Sequence, residues 1–378
     1  MLRHDLRRAA LAAAMIGIGV GTVVWLALVA FSFERTAVRV FEQAMRADYV
    51  VSSAHTGAGA LEMPVGDDLA DVLRAVPGVA AVVGVRLANW QHQGESVVLD
   101  AFDPAYFRTD AYGQWPLHGE RLDGAWEAVA AGRAIVVSSN FAGNMRVGVG
   151  DTVTLATPRG PLPLLVAGVT TDFASPRGTI EMSRDLYRTY WNDGRVTRFF
   201  VQGDGGADAS LRGRLQQRLA GVGGAWRVIS SGELVAYWEG QIRRAFASLY
   251  ALAAVILGVV LFGIADNLGA SVVERTRELG TLRAIGVRQG HLRRLVVGEA
   301  LALVGLGLVL AAAQGAGLAL LWVHTTVPLL LGWIVDLHVP VGFVFVIALA
   351  TAASGALAAL VPARRAARLE PAAALRWE

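Results

Sequence analysis

Four long apolar stretches decide what this chain can fold into. A helix that crosses a membrane needs about 20 mostly apolar residues in a row. Four stretches reach that length, and their only charged residues are Asp266 and Glu299, each near one end; the stretches are residues 9–33, 245–273, 295–322 and 339–363. The sequence therefore predicts an α-helical membrane protein with four transmembrane helices.

The first stretch has a second interpretation, because Arg7 and Arg8 precede it as basic residues precede a secretory signal. Its apolar run is longer than the usual core of a signal peptide, and no small-x-small cleavage site follows Phe31. These features favour a first transmembrane helix, which together with the N-terminal tail makes up residues 1–33.

The arginines outside the apolar stretches predict the orientation of the chain. Short loops on the cytoplasmic side of a membrane carry an excess of basic residues. The N-terminal tail holds three arginines, residues 274–294 hold six and the tail 364–378 holds four, whereas residues 323–339 hold none. We therefore expect a multi-pass protein of the bacterial inner membrane, with both termini cytoplasmic and residues 34–244 outside the cytoplasm. A domain of that length is not bound by the charge rule.

Residues 34–244 predict an extracytoplasmic α/β domain inserted between helices 1 and 2. Short apolar runs alternate there with turn residues, and helical spacing is present at 67–76 and 209–219. A helix followed by a strand occurs twice, which suggests a pair of small α/β units. The predicted strands are 48–53, 79–85, 96–102, 134–137, 152–155, 164–169 and 226–229.

Two charged segments connect this domain to the spans. Residues 34–46 and 233–244 contain no run of Gly or Pro, so they predict helical stalks that continue the first and second spans. A flexible linker is the alternative.

Polar and small residues within the spans predict contacts between helices. Asp266 and Glu299 lie near the cytoplasmic interface, where solvation or snorkelling is the expected state rather than a functional site. Small residues permit close approach of two helices, so we expect close packing in the third span at Gly305, Gly307 and Gly315.

Several kinds of chemistry are excluded by missing residue types. All 34 basic residues are Arg, so there is no lysine for a P-loop, and there is no Cys for a nucleophile or a thiolate zinc site. No H-x-x-x-H pair and no G-x-S-x-G elbow occurs, so we expect no metal site and no catalytic site. A net charge of +3 does not indicate nucleic-acid binding.

Acidic and aromatic residues of the predicted domain leave other interpretations open. Asp100 and Asp103 fall at predicted turns, where solvated acids are expected. The aromatic residues are expected either in the core or along an apolar cleft; they are Trp90, Tyr106, Trp115, Tyr187, Tyr190 and Trp191.

The segment after the second apolar stretch is the most informative one. Residues 274–300 read ERTRELGTLRAIGVRQGHLRRLVVGEA and predict an amphipathic helix over residues 274–285. From the pattern alone, a basic helix lying on anionic lipid is as good an interpretation as a helix that docks on a protein.

Two motifs resemble the FtsX/MacB-like permease family of ABC transporters. The pattern E-R-x-R-E-L-G-x-L-R-A-I-G at residues 274–286 is similar to the signature of that family. The run VPARRAARLEPAAALRW at residues 361–377 is similar to its closing motif, through Pro362, Ala363, Ala366, Ala367 and Pro371. The layout of four spans, with a large domain between the first two, resembles the family as well.

The resemblance implies a coupling helix after the second span, which docks in a groove on an ATPase subunit. Leucines can anchor such a contact while Arg and Glu fix its register at the rim. The positions that match the motif are Glu274, Arg275, Glu278, Leu279, Gly280, Leu282, Arg283, Ala284 and Gly286.

The resemblance further implies a permease subunit without catalytic residues or a cofactor, whose partner ATPase dimer binds ATP and Mg. Closure of the ATPase would change the shape of the extracytoplasmic domain to export or extract a lipid, a lipoprotein or a similar amphipathic substrate. The alternatives are a mechanical signalling subunit that controls an extracytoplasmic enzyme, such as a cell-wall hydrolase, and a membrane-anchored enzyme. Other expected partners are a second permease chain, membrane lipid and a periplasmic or lipoprotein partner.

One further resemblance concerns the number of modules. Residues 171–191, TDFASPRGTIEMSRDLYRTYW, are similar to a stretch in the C-terminal half of longer FtsX-like permeases, which carry two such modules. We therefore expect a stand-alone half that forms a homodimer or a heterodimer with a second permease chain, or else a truncated gene product.

Overall fold

The computed structural model describes residues 2–55, 62–173, 175–274, 281–282, 285 and 287–368, with side chains over most of residues 10–360. The chain divides into two compact units. The membrane unit contains residues 1–33, 243–323 and 336–378, and the inserted domain contains residues 34–242 and 324–335.

The helices, in chain order, are α1 (Leu2–Ala44), α2 (Leu69–Arg74), α3 (Pro104–Arg108), α4 (Ala125–Ala130), α5 (Ser139–Met145), α6 (Arg184–Trp191), α7 (Ala209–Ala220), α8 (Ser231–Glu274), α9 (Gln289–Leu321), α10 (Val327–Leu331) and α11 (Val341–Arg368). A π-helical turn, Trp322–Thr326, joins α9 to α10. The strands are β1 (Tyr49–Ser53), β2 (Val79–His92), β3 (Glu95–Phe102), β4 (Leu117–Arg121), β5 (Ala134–Ser138), β6 (Thr152–Thr157), β7 (Gly160–Thr170), β8 (Thr179–Ser183), β9 (Arg198–Gly203) and β10 (Trp226–Ser230).

Four described helices are long and apolar enough to cross a membrane, which confirms the predicted number of spans. They are Ala10–Ala44, Ser231–Ala270, Gln289–Leu331 and Val341–Leu360. One apolar cluster joins all four within the membrane unit, through residues such as Val23 of α1, Leu268 of α8, Val304 of α9 and Ile347 of α11.

The inserted domain is built on one mixed sheet of ten strands, which confirms the predicted α/β fold. The strand order is β10-β1-β9-β2-β3-β8-β5-β7-β4, and β6 also pairs with β7. β3 pairs with β8, and β5 with β7, in parallel, whereas the other pairings are antiparallel.

Two interlocked β-α-β units form the β10-β1-β9-β2 part of the sheet. One unit is β1-α2-β2 and the other is β9-α7-β10, so each places a strand of the other between its own two strands. Leu73 of α2 and Leu215 of α7 are fully buried in the same apolar cluster, together with Val51 and Val201. This arrangement corresponds to the repeated helix-then-strand pattern in the sequence.

The remaining strands carry two further apolar clusters. Val97, Leu99 and Ala101 of β3 belong to a cluster that includes Phe141 and Trp191. Alternate residues of a strand point to opposite faces of the sheet, and Phe102 accordingly belongs to a different cluster, which includes Val40 of α1. The sheet is therefore covered on both faces.

Candidate functional site

The predicted coupling segment lies between α8 and α9, and the described residues include only part of it. α8 ends at Glu274, Thr281 and Leu282 are helical, and α9 begins at Gln289. Leu282 is 38% exposed and Ile285 is 77% exposed, so two apolar side chains of this segment lie at the surface. The remaining predicted contact residues, Arg275, Glu278, Leu279, Gly280, Arg283, Ala284 and Gly286, lie outside the described residues.

The C-terminal family motif continues the last helix. Pro362, Ala363, Ala366 and Ala367 belong to α11, which extends to Arg368. Pro371 lies outside the described residues.

Glycines bring α1 and α9 into close contact within the membrane unit. A Cβ added to Gly307 would lie 2.6 Å from Cγ2 of Ile16, and one added to Gly315 would lie 2.8 Å from Cγ1 of Val24. The predicted close packing is thus confirmed at these two positions. It is wrong at Gly305, where an added Cβ would meet no atom within 4 Å.

The end of α1 is fixed to the inserted domain at Ala44. The hydroxyl of Tyr106 donates a hydrogen bond to the carbonyl oxygen of Ala44 over 3.1 Å. Gly113, with φ of +97°, approaches so closely that an added Cβ would lie 2.5 Å from the Ala44 carbonyl carbon. The end of α1 is therefore part of the core of the inserted domain.

The start of α8 is fixed close to the same place. The hydroxyl of Ser231 donates to the carbonyl oxygen of Ala47, two residues before β1. Along the two helices, the rings of Phe41 and Trp238 are stacked, with centroids 5.6 Å apart. Residues 34–44 and 231–242 are thus helical and in mutual contact.

The segment between α9 and α11 belongs to the inserted domain by its contacts. The rings of Trp333 and Phe173 meet edge to face, with centroids 5.2 Å apart. Thr171 donates from its hydroxyl to the carbonyl oxygen of Ile334 over 3.5 Å. Gly332, with φ of +69°, packs directly against Asn140, leaving no room for a side chain. We call residues 324–335 the docked segment.

Asp100 is a buried strand residue, so its prediction as a solvated turn acid is wrong. It is 6% exposed in β3 and pairs in register with Glu181 of β8, which is 1% exposed. Both carboxylate oxygens of Glu181 and Oδ1 of Asp100 are buried without a hydrogen-bond partner among the described residues. Burial raises the pKa of Asp100 to about 8 and the pKa of Glu181 well above its ordinary value. Burial therefore favours the protonated form of both carboxyl groups.

Asp103 follows β3 at the start of α3, but it is not simply solvated there. Its carboxylate accepts a hydrogen bond from Nε of Arg184 over 2.5 Å and one from the backbone of Gly84 over 2.6 Å. Arg184 is 4% exposed and also pairs with Asp67 over 3.0 Å. Although burial alone would lower the pKa of Arg184, the two carboxylates raise it above its ordinary value. The ion pairs join α6 to the residues that precede α2 and α3.

The aromatic residues lie in the core and along a cleft, but this cleft is lined by charged side chains as well and is not the apolar cleft that the sequence suggests. Tyr106 and Trp115 lie in the core of the inserted domain. Trp90, Tyr187 and Trp191 line a cleft of about 630 Å³. Within the described part of the chain, no group of three or more His, Cys, Asp or Glu side chains could hold a metal ion.

Comparison with known families decides the identity of this architecture. Residues 9–218 match the MacB-like periplasmic core domain, and residues 250–371 match the C-terminal domain of FtsX-like permeases. The first match alone covers more than half of the chain.

The chain belongs to the FtsX/MacB-like family of ABC transporter permeases.

Relatives of this permease are similar over most of its length. An uncharacterized ABC transporter permease protein of Mycobacterium tuberculosis is 29% identical over 99% of this chain and 44% of its own length. The pyoverdine export ATP-binding/permease protein of Pseudomonas syringae pv. syringae is 28% identical over 82% of this chain and 47% of its own length. The permease thus spans about half the length of these relatives.

Shorter or more distant similarities concern parts of the permease. The macrolide export ATP-binding/permease protein of Chromobacterium violaceum is 37% identical over 36% of this chain and 20% of its own length. Among solved structures, the periplasmic region of MacB from Actinobacillus actinomycetemcomitans covers 52% of this chain and 95% of its own, with 13% identity and a TM-score of 0.38.

Proposed function

We propose that this permease couples ATP hydrolysis in a separate partner ATPase to a change of shape in the inserted domain, and so exports or extracts a lipid, a lipoprotein or a similar amphipathic substrate. The proposal places the membrane unit in the bacterial inner membrane, with both termini cytoplasmic. A second permease chain, identical or different, would complete the transporter.

One observation carries the proposal: α1 and α8 are unbroken helices that run from the membrane unit into the inserted domain. α1 has 43 residues and α8 has 44. An unbroken helix transmits a displacement along its axis because its backbone hydrogen bonds follow that axis. α1 ends and α8 begins at contacts beside β1, and in this proposal the two helices carry movements of the membrane unit to the sheet.

The lack of a P-loop within these 378 residues supports the proposed partner ATPase. The 378 residues contain no Lys, and a P-loop needs one to reach the terminal phosphates. ATP and Mg are therefore assigned to the partner, which would contact residues 274–286. The exposed side chains of Leu282 and Ile285 support this docking site.

The docking site is tested by co-purification. The full chain is expressed with any ABC ATPase encoded beside it, and the amount of ATPase retained by the tagged permease is measured. Leu282→Asp places a charge in the proposed anchor, so we expect loss of the ATPase. Val222→Asp is the matched control, because Val222 is similarly exposed, at 45%, on the inserted domain.

Retention of the ATPase by the Leu282 variant would contradict this docking site. Failure of the unaltered chain to retain any such ATPase, or to stimulate its hydrolysis of ATP, would contradict the proposed function itself. The complex could form while deletion of the permease changes the activity of an extracytoplasmic hydrolase but not the location of any lipid or lipoprotein. That result would show that the permease signals to the hydrolase and transports no substrate.

A further inference from the structure

The cleft of the inserted domain is lined by four separate segments. Arg86 to Trp90 come from β2, Pro158 from the β6–β7 turn, and Glu62 and Pro64 from the segment before α2. The fourth segment is α6 and the residues after it, with Tyr187, Trp191, Asn192, Asp193 and Arg195. Its volume of about 630 Å³ lies within the range of about 300–1,000 Å³ that is usual for small-molecule sites.

Asp193 organises the charges of this cleft. Its carboxylate accepts hydrogen bonds from Arg86, at 2.9 and 3.0 Å, and from the side chain of Arg195, at 2.8 and 3.1 Å. Burial alone would raise the pKa of Asp193, but the hydrogen bonds from Arg195 and Arg86 lower it below its ordinary value. One carboxylate therefore stays ionised between two guanidinium groups.

The charges of the lining balance, with two acids and two arginines, and Arg198 next to Glu62 just outside the lining adds one positive charge. Glu62, the other acid of the lining, pairs over 2.7 Å with Arg198, so three arginines face two carboxylates. Asp100 also acts on Arg198, but burial favours its protonated form, which adds no charge. The excess charge favours an anion.

Hydrogen-bond donors remain available at the mouth of the cleft. The side chain of Arg195 is 58% exposed, and its Nη1 donates to no described residue. The side chains of Asn89 and Asn192 are exposed and form no hydrogen bond with described residues. Guanidinium and amide groups together suit the oxygen atoms of a carboxylate or a similar acid group.

Aromatic rings of fixed orientation form the other wall. Trp90 donates from Nε1 to the carbonyl oxygen of Ala156 over 3.0 Å, which holds its ring in place. Trp191 meets Trp90 edge to face, at 5.5 Å between centroids, and stacks on Tyr187 at 5.0 Å. Rings held in this way offer a flat surface to a second ring without further loss of side-chain freedom.

We infer that this cleft binds a small organic anion that carries a flat ring, with the acid group at Arg195 and the two asparagines and the ring against Trp90. The site lies wholly in the inserted domain, and its binding step requires no ATPase. If this cleft does not bind such an anion, the proposed coupling function is therefore unaffected.

The test is calorimetric titration of the full chain in lipid nanodiscs with 2-naphthoate, a flat ring that bears a carboxylate. The neutral 2-naphthamide is the matched ligand, and empty nanodiscs report uptake by lipid. We expect saturable binding of 2-naphthoate at least about tenfold tighter than binding of the amide, because hydrogen bonds to charged groups are the stronger ones.

Arg195→Gln removes the exposed charge and leaves Asp193 paired with Arg86, so we expect the affinity for 2-naphthoate to fall at least about tenfold. The preference over 2-naphthamide should disappear with it. Arg133→Gln removes an exposed arginine that does not line the cleft and should leave both affinities unchanged. Absence of saturable binding by the unaltered chain, or equal binding by the Arg195 variant, would overturn the inference.

Discussion

Replacing Asp100 by Asn should flatten the dependence of stability on pH. The carboxyl lies in β3 beside Glu181 and within reach of two other charged groups, Arg198 and Asp172. Burial raises its pKa, the charge of Arg198 lowers it and that of Asp172 raises it, so that the value goes from 3.8 to about 8. Between these two values the folded chain keeps a proton that the unfolded chain releases.

The sign and size of the effect follow from that difference. Because the unfolded state binds fewer protons, the free energy of unfolding falls as the pH rises from about 4 to about 8. Each pH unit in this window costs about 1.4 kcal/mol, so raising the pH from 5 to 7 costs about 3 kcal/mol through Asp100 alone. For a domain of this size, that corresponds to roughly 6–12 °C in the melting temperature.

The assay is thermal unfolding of the full chain in nanodiscs at pH 5 and pH 7. We expect the melting temperature of the inserted domain to fall less between these values in Asp100→Asn than in the unaltered chain. Asp123→Asn replaces an exposed acid and should leave the difference unchanged. An identical fall in Asp100→Asn and the unaltered chain would refute the reasoning.

One further substitution in each unit tests a contact within that unit. Arg184→Gln leaves two carboxylates without their buried cation, so we expect the free energy of unfolding of the inserted domain to fall by about 3–5 kcal/mol, measured by denaturant titration. A loss below about 1 kcal/mol would mean that solvent screens this pair. Gly307→Val drives side-chain atoms into α1 and should lower the melting temperature of the membrane unit, whereas Gly305→Val, which points into open space, should not. Equal melting temperatures would count against close packing of α1 on α9.

The outcome at the third-span glycines illustrates what helical periodicity can predict. Gly307 and Gly315 are eight residues apart, which returns to nearly the same face of a helix of 3.6 residues per turn. Gly305 is only two residues from Gly307 and therefore lies on the opposite side. Composition predicts that a helix packs closely, and the period identifies which of its glycines do so.

The inserted domain shows where local patterns fail. The repeated helix-then-strand pattern predicts α2–β2 and α7–β10, because each of these elements buries one regular apolar face. β8 was not predicted, since Glu181 interrupts a short run whose burial depends entirely on neighbouring strands. The interpretation of Asp100 as a turn acid is wrong, because Asp100 lies within the predicted strand 96–102, and β3 indeed runs from Glu95 to Phe102.

The coupling motif and the cleft also differ in how far the sequence alone could predict them. The coupling motif is contiguous in sequence, so it could be recognised from residues 274–286 alone. The cleft joins Arg86 to Asp193, which are 107 positions apart, and no local spacing indicates that contact. The left-handed conformation of Asn192, with φ of +52°, ends α6 immediately before Asp193 and is the nearest local signal.

The docked segment also sets the order in which the molecule can be completed during synthesis. A growing chain emerges from its N-terminus, so residues 34–242 are made before α8 and α9, and residues 324–335 only afterwards. Until then, Phe173 lacks the ring of Trp333 and Asn140 lacks the covering backbone of Gly332. A fragment that stops at residue 242 would keep these surfaces uncovered. The inserted domain can therefore complete its packing only after α9 has been synthesised. A fully packed inserted domain thus requires that the chain has been made through α9.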